Sequence, residues 1–257
     1  TPRPGDPTGI WVYDGNLRRL TRVVPGPAAG TPAIISGLAR IPGGGTVALR
    51  MLWLTHDRIL FIGFSDTNRI MFADSLGHVT DEHPGPLLGA SVVPKDIRED
   101  GSTGTIVCPK PSGDRFAIAY VDAARIDMFD DKGLRLPGAK VLFPSDSERA
   151  YFEDSEGQSH NPNPRGYYTA CFATTDRIYA LFSGRLATEG PPGSHKWDAQ
   201  YVHVFDWSGK LVSVLKLDRL ANAIAVSGDS VLYAGGAVTT GIYRYRLPPS
   251  IASGRPH

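Results

Sequence analysis

The chain has 257 residues, 41% of them apolar, and a formal net charge of +1 from 27 basic and 26 acidic residues. This is chain and apolar content enough for one large core, while the balanced, well-mixed charge leaves no footprint for nucleic acid or for an anionic membrane surface. The 29 glycines and 21 prolines demand many turns and short elements, and no apolar run approaches the roughly 18 residues of a membrane span.

The sequence starts at Thr1 with neither an initiator Met nor a signal peptide; loss of a leader and simple Met excision are both compatible with that start. The first strands are expected from Gly9 to Val24, around an Asp14-Gly15 turn. From there a repeat sets the organisation. A polar turn ending in Asp-Arg and followed by an apolar strand occurs at Thr55-His56-Asp57-Arg58, Ser112-Gly113-Asp114-Arg115 and Thr174-Thr175-Asp176-Arg177, with a degenerate copy at Ser227-Gly228-Asp229-Ser230. The four aspartates are 57, 62 and 53 residues apart, a period of propeller-blade size or slightly longer.

Each unit continues in register to a second turn. Asp74, Asp130 and Asp206 stand three residues before Gly77, Gly133 and Gly209, and Asp and Gly suit the side-chain hydrogen bonds and positive φ of tight hairpins. The strands after Asp-Arg are apolar on both faces: Ile59-Leu60-Phe61-Ile62, Phe116-Ala117-Ile118-Ala119 and Ile178-Tyr179-Ala180-Leu181. A sheet with one wet face alternates instead, whereas the middle strand of a blade packs on both sides. Helical signals are nearly absent; one turn is expected at Leu217-Asp218-Arg219-Leu220.

The reading is therefore an all-β, single β-propeller domain over 1–257. Its clear units are about 46–82, 104–143, 167–217 and 221–247, and strands 9–24 complete the ring by pairing with the C-terminal unit. The repeat count gives five blades. Segments 25–45 and 144–166 each have room for a degenerate one.

The stretches Arg165-Gly166-Tyr167-Tyr168, Asp176 through Gly184, and Val204-Phe205-Asp206-Trp207-Ser208-Gly209-Lys210 resemble the TolB-like six-bladed β-propeller proteins of bacterial extracytoplasmic compartments. The resemblance covers about 45–247. It implies six blades and a periplasmic or otherwise extracytoplasmic location, and its motifs mark blade turns rather than an activity.

Departures from the repeat mark the candidate sites. Asp57 to Gly77 is 20 residues and Asp114 to Gly133 is 19, but Asp176 to Gly209 is 33. The excess forms a loop, 185–200, holding Arg185, Pro191, Pro192, Gly193, His195, Lys196 and Trp197. Long loops on a rigid scaffold carry recognition, and a Trp beside cations is a common anchor; the plainer alternative is a surface loop whose Trp covers the blade. Arg185, His195, Lys196 and Trp197 are the partner-contact candidates. With Tyr167 and Tyr168, Trp197 is also a candidate for an aromatic pocket binding a small sugar or peptide.

Segment 144–165 carries Glu153, Asp154, Glu156, His160, Asn161 and Asn163, without the spacing of a Ca²⁺ loop, and reads as a solvated connector. Asp74, His78, Asp81, Glu82 and His83 crowd a blade corner in none of the usual zinc spacings. No metal site and no cofactor is expected. Neither a nucleophile elbow nor a phosphate-binding glycine loop occurs. Cys108 and Cys171 are expected as two lone buried thiols, with a disulfide as the alternative.

The functional expectation is a non-catalytic interaction or scaffold propeller with a protein partner, an extrinsic subunit of a larger, membrane-associated complex. Membrane association would come only through that partner or through a lipid anchor since removed. Its rivals are a metal-dependent propeller hydrolase or lactonase with a site on the central channel, and a propeller that binds a small sugar or peptide.

Overall fold

The computed structural model describes residues 2–3, 6–14, 19–24, 34–40, 47–55, 57–64, 70–83, 105–121, 124–137, 152–153, 159–160, 165–186, 188–236 and 240–252. These residues form consecutive antiparallel meanders. The first sheet orders β1 (Pro2–Arg3), β2 (Asp6–Asp14), β3 (Arg19–Val24) and β4 (Ile34–Arg40). The second orders β5 (Val47–Thr55), β6 (Arg58–Phe64), β7 (Ile70–Asp74) and β8 (Val79–His83).

A third sheet has three strands, β9 (Thr105–Pro109), β10 (Arg115–Tyr120) and β11 (Ile126–Asp130). A two-stranded ladder of β12 (Phe152–Glu153) and β13 (Ser159–His160) follows. Next comes a four-stranded sheet of β14 (Arg165–Ala173), β15 (Arg177–Leu186), β16 (Ala199–Asp206) and β17 (Leu211–Ala221). The last sheet has β18 (Ala223–Ser227), β19 (Val231–Gly235) and β20 (Ile242–Arg246), and a helical turn α1 (Pro249–Ala252) follows. The turn expected at 217–220 is instead the extended end of β17; β-branched and apolar residues running up to Leu217 carry the strand past it.

The chain divides into two compact units, Thr1–Ala90 with Pro111–Arg115 and Asp131–Gly133, and Ser91–Lys110 with Phe116–Asp130 and Leu134–His257. In the first, the β1–β4 and β5–β8 sheets share a core of Trp11, Leu20, Met51, Trp53, Ile59, Phe61, Met71 and Ala73, with Trp11 and Trp53 edge to face at 5.2 Å. In the second, β15 is buried on both sides. Ile178 and Ala180 face a core shared with Cys108, Ala117, Ala119, Ile126 and Met128 of the β9–β11 sheet. Tyr179 and Leu181 face Val226, Leu232, Ala234, Leu247 and Ile251. Each fully buried Leu, Ile or Phe of such a stack contributes about 1.5–3 kcal/mol, so the two-sided apolar pattern of these strands is what stacks the sheets.

Because the β9–β11 sheet packs directly on the β14–β17 sheet, the two-residue strands β12 and β13 do not form a blade between them. The described residues contain five sheets of three or four strands. In segment 25–45 the described residues are those of β4, the fourth strand of the first sheet. Every described strand pair lies inside one of these sheets or in the β12–β13 ladder, and the closure of the ring is an expectation of the fold.

Turn chemistry repeats as the sequence repeats. Oδ1 of Asp74 accepts the amides of Leu76 (2.9 Å) and His78 (2.9 Å), and Oδ1 of Asp206 those of Ser208 (2.9 Å) and Lys210 (3.1 Å). Asp130 accepts from the Leu134 amide at 2.8 Å. The glycine three residues on has φ of 87° (Gly77), 82° (Gly133) or 82° (Gly209), a region costly for residues with a Cβ. At the Asp-Arg turns, Gly113 (φ 77°) is confined further: a Cβ there would lie 1.5 Å from the Leu54 carbonyl oxygen.

The two cysteines are bonded, Cys108 on β9 to Cys171 on β14, with 5.9 Å between their Cα atoms. The expectation of two lone thiols is thus corrected. The cause is non-local: the face-to-face packing of the two sheets brings together residues 63 apart in sequence.

Two outcomes test this account. Closing a 63-residue loop restricts the unfolded chain by about 4 kcal/mol, so Cys108→Ser with Cys171→Ser lowers the urea midpoint accordingly, and reductant lowers the parent but not the variant. Gly113→Ala costs at least about 2 kcal/mol through backbone strain and displacement of Leu54, well beyond Gly193→Ala, whose Cβ meets open space; thermal melts of the two variants compare them.

Candidate functional site

The excess residues of the third repeat unit lie between β15 and β16. The strands reach further into this segment than the sequence indicates: β15 runs to Leu186 and β16 starts at Ala199. The loop proper is therefore 187–198, and Arg185 belongs to a strand.

Arg185 builds the loop from beneath. Its guanidinium donates to the Asp198 carbonyl (3.2 Å), the Ser194 hydroxyl (3.0 Å) and the Glu189 carbonyl. The Ser183 hydroxyl donates to the Lys196 carbonyl at 2.6 Å. The Asp198 carboxylate, itself buried, accepts the His195 amide at 2.7 Å. Glu189 accepts the Leu186 amide (2.9 Å) and pairs with Arg165 (3.4 Å). A loop whose backbone groups are satisfied by fixed side chains holds one shape.

Trp197 is half-buried. It lies against β14, where a Cβ on Gly166 would stand 3.0 Å from its ring and 2.4 Å from the Lys196 carbonyl oxygen; only glycine lets the loop seat so closely. The Lys196 ammonium sits 4.3 Å from the centre of the Trp197 ring, a cation–π contact. Thr188 to Gly193 and His195 are exposed. The structure thus brings His195, Lys196 and Trp197 together on one loop and places Arg185 under it.

Tyr167 and Tyr168 lie elsewhere, 4% and 0% exposed, in the core between the β9–β11 and β14–β17 sheets. They stand next to the loop's footing on Gly166 but do not form a surface pocket with Trp197. The Tyr168 hydroxyl and Nδ1 of His203 share a 3.1 Å hydrogen bond, and the His203 ring stacks on Phe182 at 4.4 Å. Burial lowers the His203 pKa to about 4 and pushes the Tyr168 hydroxyl far up, so both are neutral at pH 7. His203 carried no sequence signal, since it stands where an apolar residue of the two-sided strand would.

A second buried polar group also escaped the sequence reading. Asp127, fully buried, accepts a bidentate pair from Arg125 (3.0 and 2.7 Å), one bond from Arg135 (2.8 Å) and one from the Tyr120 hydroxyl (3.0 Å). Desolvation, and then the Asp127 charge, push the Tyr120 pKa up. All four bonds are used within the group, and its arrangement is that of a structural clasp.

At the blade corner, His78 Nδ1 lies 3.0 Å from Asp74 Oδ2 and Asp81 faces Arg58 at 3.8 Å. The side chains of Glu82, His83, Glu153, Asp154, Glu156, His160, Asn161 and Asn163 lie outside the described residues. Among the described residues, no three His, Cys, Asp or Glu side chains come together as metal ligands.

With the meanders, their turns and the inserted loop in place, the comparison that decides the lineage is a sequence one: the profile of the TolB-like 6-blade propeller-like family matches residues 9–229. The chain belongs to that family. Its β-propeller fold follows. No curated protein matches the sequence.

Solved structures similar to this TolB-like chain include a eukaryotic initiation factor, at 11% identity and a TM-score of 0.47, covering 94% of this chain and 53% of that one. The β-propeller domain of Myceliophteria thermophila Cps50 (Swd1) matches at 14% identity and a TM-score of 0.37, covering 93% and 83%. A chain of a nidogen/laminin complex matches at 14% and 0.43, covering 94% and 77%. The chain spans about half the length of the initiation factor chain. No helix among the described residues is long and apolar enough to cross a membrane.

Burial of His203 makes a pH prediction. Its folded pKa of about 4 lies below its ordinary 6.5, so above pH 6.5 both folded and unfolded states hold it neutral and its full stability is present. As pH falls from 6.5 to 4 the unfolded chain takes up a proton that the folded one refuses, and about 3 kcal/mol of stability is lost. Urea melts across this window show the slope in the parent, and His203→Gln flattens it.

Proposed function

We propose that this TolB-like propeller is a non-catalytic protein-interaction scaffold, one propeller domain working in a periplasmic or otherwise extracytoplasmic compartment as an extrinsic subunit of a larger assembly. The observation that carries the reading is the loop between β15 and β16. Its backbone is fixed by Arg185, Ser183 and Asp198, its tip 188–193 is exposed, and Lys196 stacks on a half-buried Trp197 beside exposed His195. A loop that is already ordered loses little entropy when it meets a partner, and an aromatic–cation pair at its base is a common kind of anchor.

The Cys108–Cys171 disulfide supports the compartment, because such bonds persist in oxidising surroundings and are rare in a reducing cytosol.

The test is native mass spectrometry of the protein gently purified from its source, alongside a variant in which 188–197 is replaced by a short Asn-Gly hairpin turn. The expected result is a stoichiometric complex for the parent. The variant, with an unchanged melting temperature, loses it or weakens it at least tenfold. A complex that survives trimming removes the loop from the reading, and a lone 27.7 kDa species removes the scaffold role.

A further inference from the structure

The tip of the β15–β16 loop is a turn of defined type. The Ser194 amide donates to the Pro191 carbonyl at 3.1 Å, and Gly193 has a φ of 79°. A bond from the fourth residue to the first, with a left-handed third residue, makes Pro191-Pro192-Gly193-Ser194 a type II turn. That turn favours Pro second and Gly third, which accounts for Pro192 and Gly193. It does not ask for Pro191. Pro192 at the second position stands in the polyproline II region, and Pro191, preceding a proline, is held to the β and polyproline II regions. The two rings together form one ready-made step of polyproline II.

The polar groups around this step are turned inward. The Pro191 carbonyl also accepts the Ser194 hydroxyl at 2.7 Å, and that hydroxyl accepts the Arg185 guanidinium at 3.0 Å. The Glu189 carbonyl takes the same guanidinium. The Glu189 carboxylate takes the Leu186 amide at 2.9 Å and Arg165 at 3.4 Å. Gly190 to Gly193 are exposed, and a Cβ on Gly193 would meet no atom within 4 Å. Both prolines lack an N–H, so the tip presents pyrrolidine surface and is poor in hydrogen-bond donors.

We infer that the partner protein takes Pro191 and Pro192 into a groove lined by Tyr or Trp side chains. The inference rests on the scaffold reading of the same loop and adds the chemistry of the surface that meets it. Aromatic-lined grooves recognise polyproline II segments because that conformation is already formed and costs little entropy to dock. A charged or hydrogen-bonding groove would find few counterparts on the two rings.

The test uses the whole chain in the complex gently purified from its source. p-Benzoylphenylalanine replaces Thr188, an exposed residue beside the tip. It is photolysed within the complex, and the cross-linked partner peptide is sequenced by mass spectrometry. The expected peptide carries Tyr or Trp, and changing those residues to Ala weakens the complex about tenfold. Pro191→Ala with Pro192→Ala weakens it about as much, at an unchanged melting temperature. Combining the changes on both proteins costs less than the sum of the two losses, as for groups in contact. Pro191→Ala alone, which keeps the Pro192-Gly193 pair and hence the turn, still weakens the complex severalfold. The loss then follows the ring rather than the shape of the loop.

The inference is overturned, and the scaffold reading stands, if the complex gives no cross-link or a cross-linked peptide without Tyr or Trp. The same holds if the proline variants bind as tightly as the parent, or if the losses on the two proteins add in full. Absence of any complex removes the scaffold reading and this inference together.

Discussion

A sheet buried on both faces is the constraint on which the rest of this structure depends. Strand β15 has no wet side: Ile178 and Ala180 serve one core while Tyr179 and Leu181 serve another. Polar chemistry is thereby driven out of the strands and into the turns, where the three Asp-x-x-Gly corners satisfy their own amides. It also sets the terms for the few polar groups left inside. His203 is kept neutral by desolvation and shares its bond with Tyr168. Asp127 fills its oxygens with two arginines and a phenol. These are the two ways of burying a titratable group, and both consume its bonding capacity.

The same constraint explains what could be read in advance. Apolar runs such as Ile59 to Ile62 and the Asp and Gly corners are local signals, dictated by burial on both faces and by the φ of single residues, so the all-β repeat was visible. Contacts between distant segments were not. Cys108 and Cys171 pair because β9 packs against β14, and nothing in the residues around either cysteine records that neighbour. Strand β4 was missed because Ile34–Arg40 follows no Asp-Arg turn and completes its sheet through pairing with β3 alone.

The candidate site was legible in outline and misread in one respect. An irregular Asp-to-Gly distance located the inserted loop, since insertion length is a one-dimensional property. The division of labour among its residues is three-dimensional. Arg185 looked like a contact residue because it is a cation beside a loop, yet it spends its donors on the carbonyls of Glu189 and Asp198 and on Ser194. Trp197 was open to two readings, an anchor or a cover for the blade, and the structure sets its half-buried ring against Gly166 of β14. What remains outward is narrower than the sequence implied: the tip 188–193, His195 and the cation stacked on the indole.

Since stacking and turn chemistry fix the sheets so tightly, variation that leaves the fold intact is confined to places the stack does not touch. The repeat is lengthened in one such place. Between β15 and β16 residues are added, and the addition is organised by a half-buried arginine rather than left to fray. A loop merely tolerated has no need of the Arg185 network. Order imposed where the fold does not require it is the physical signature that sets this loop apart from ordinary surface.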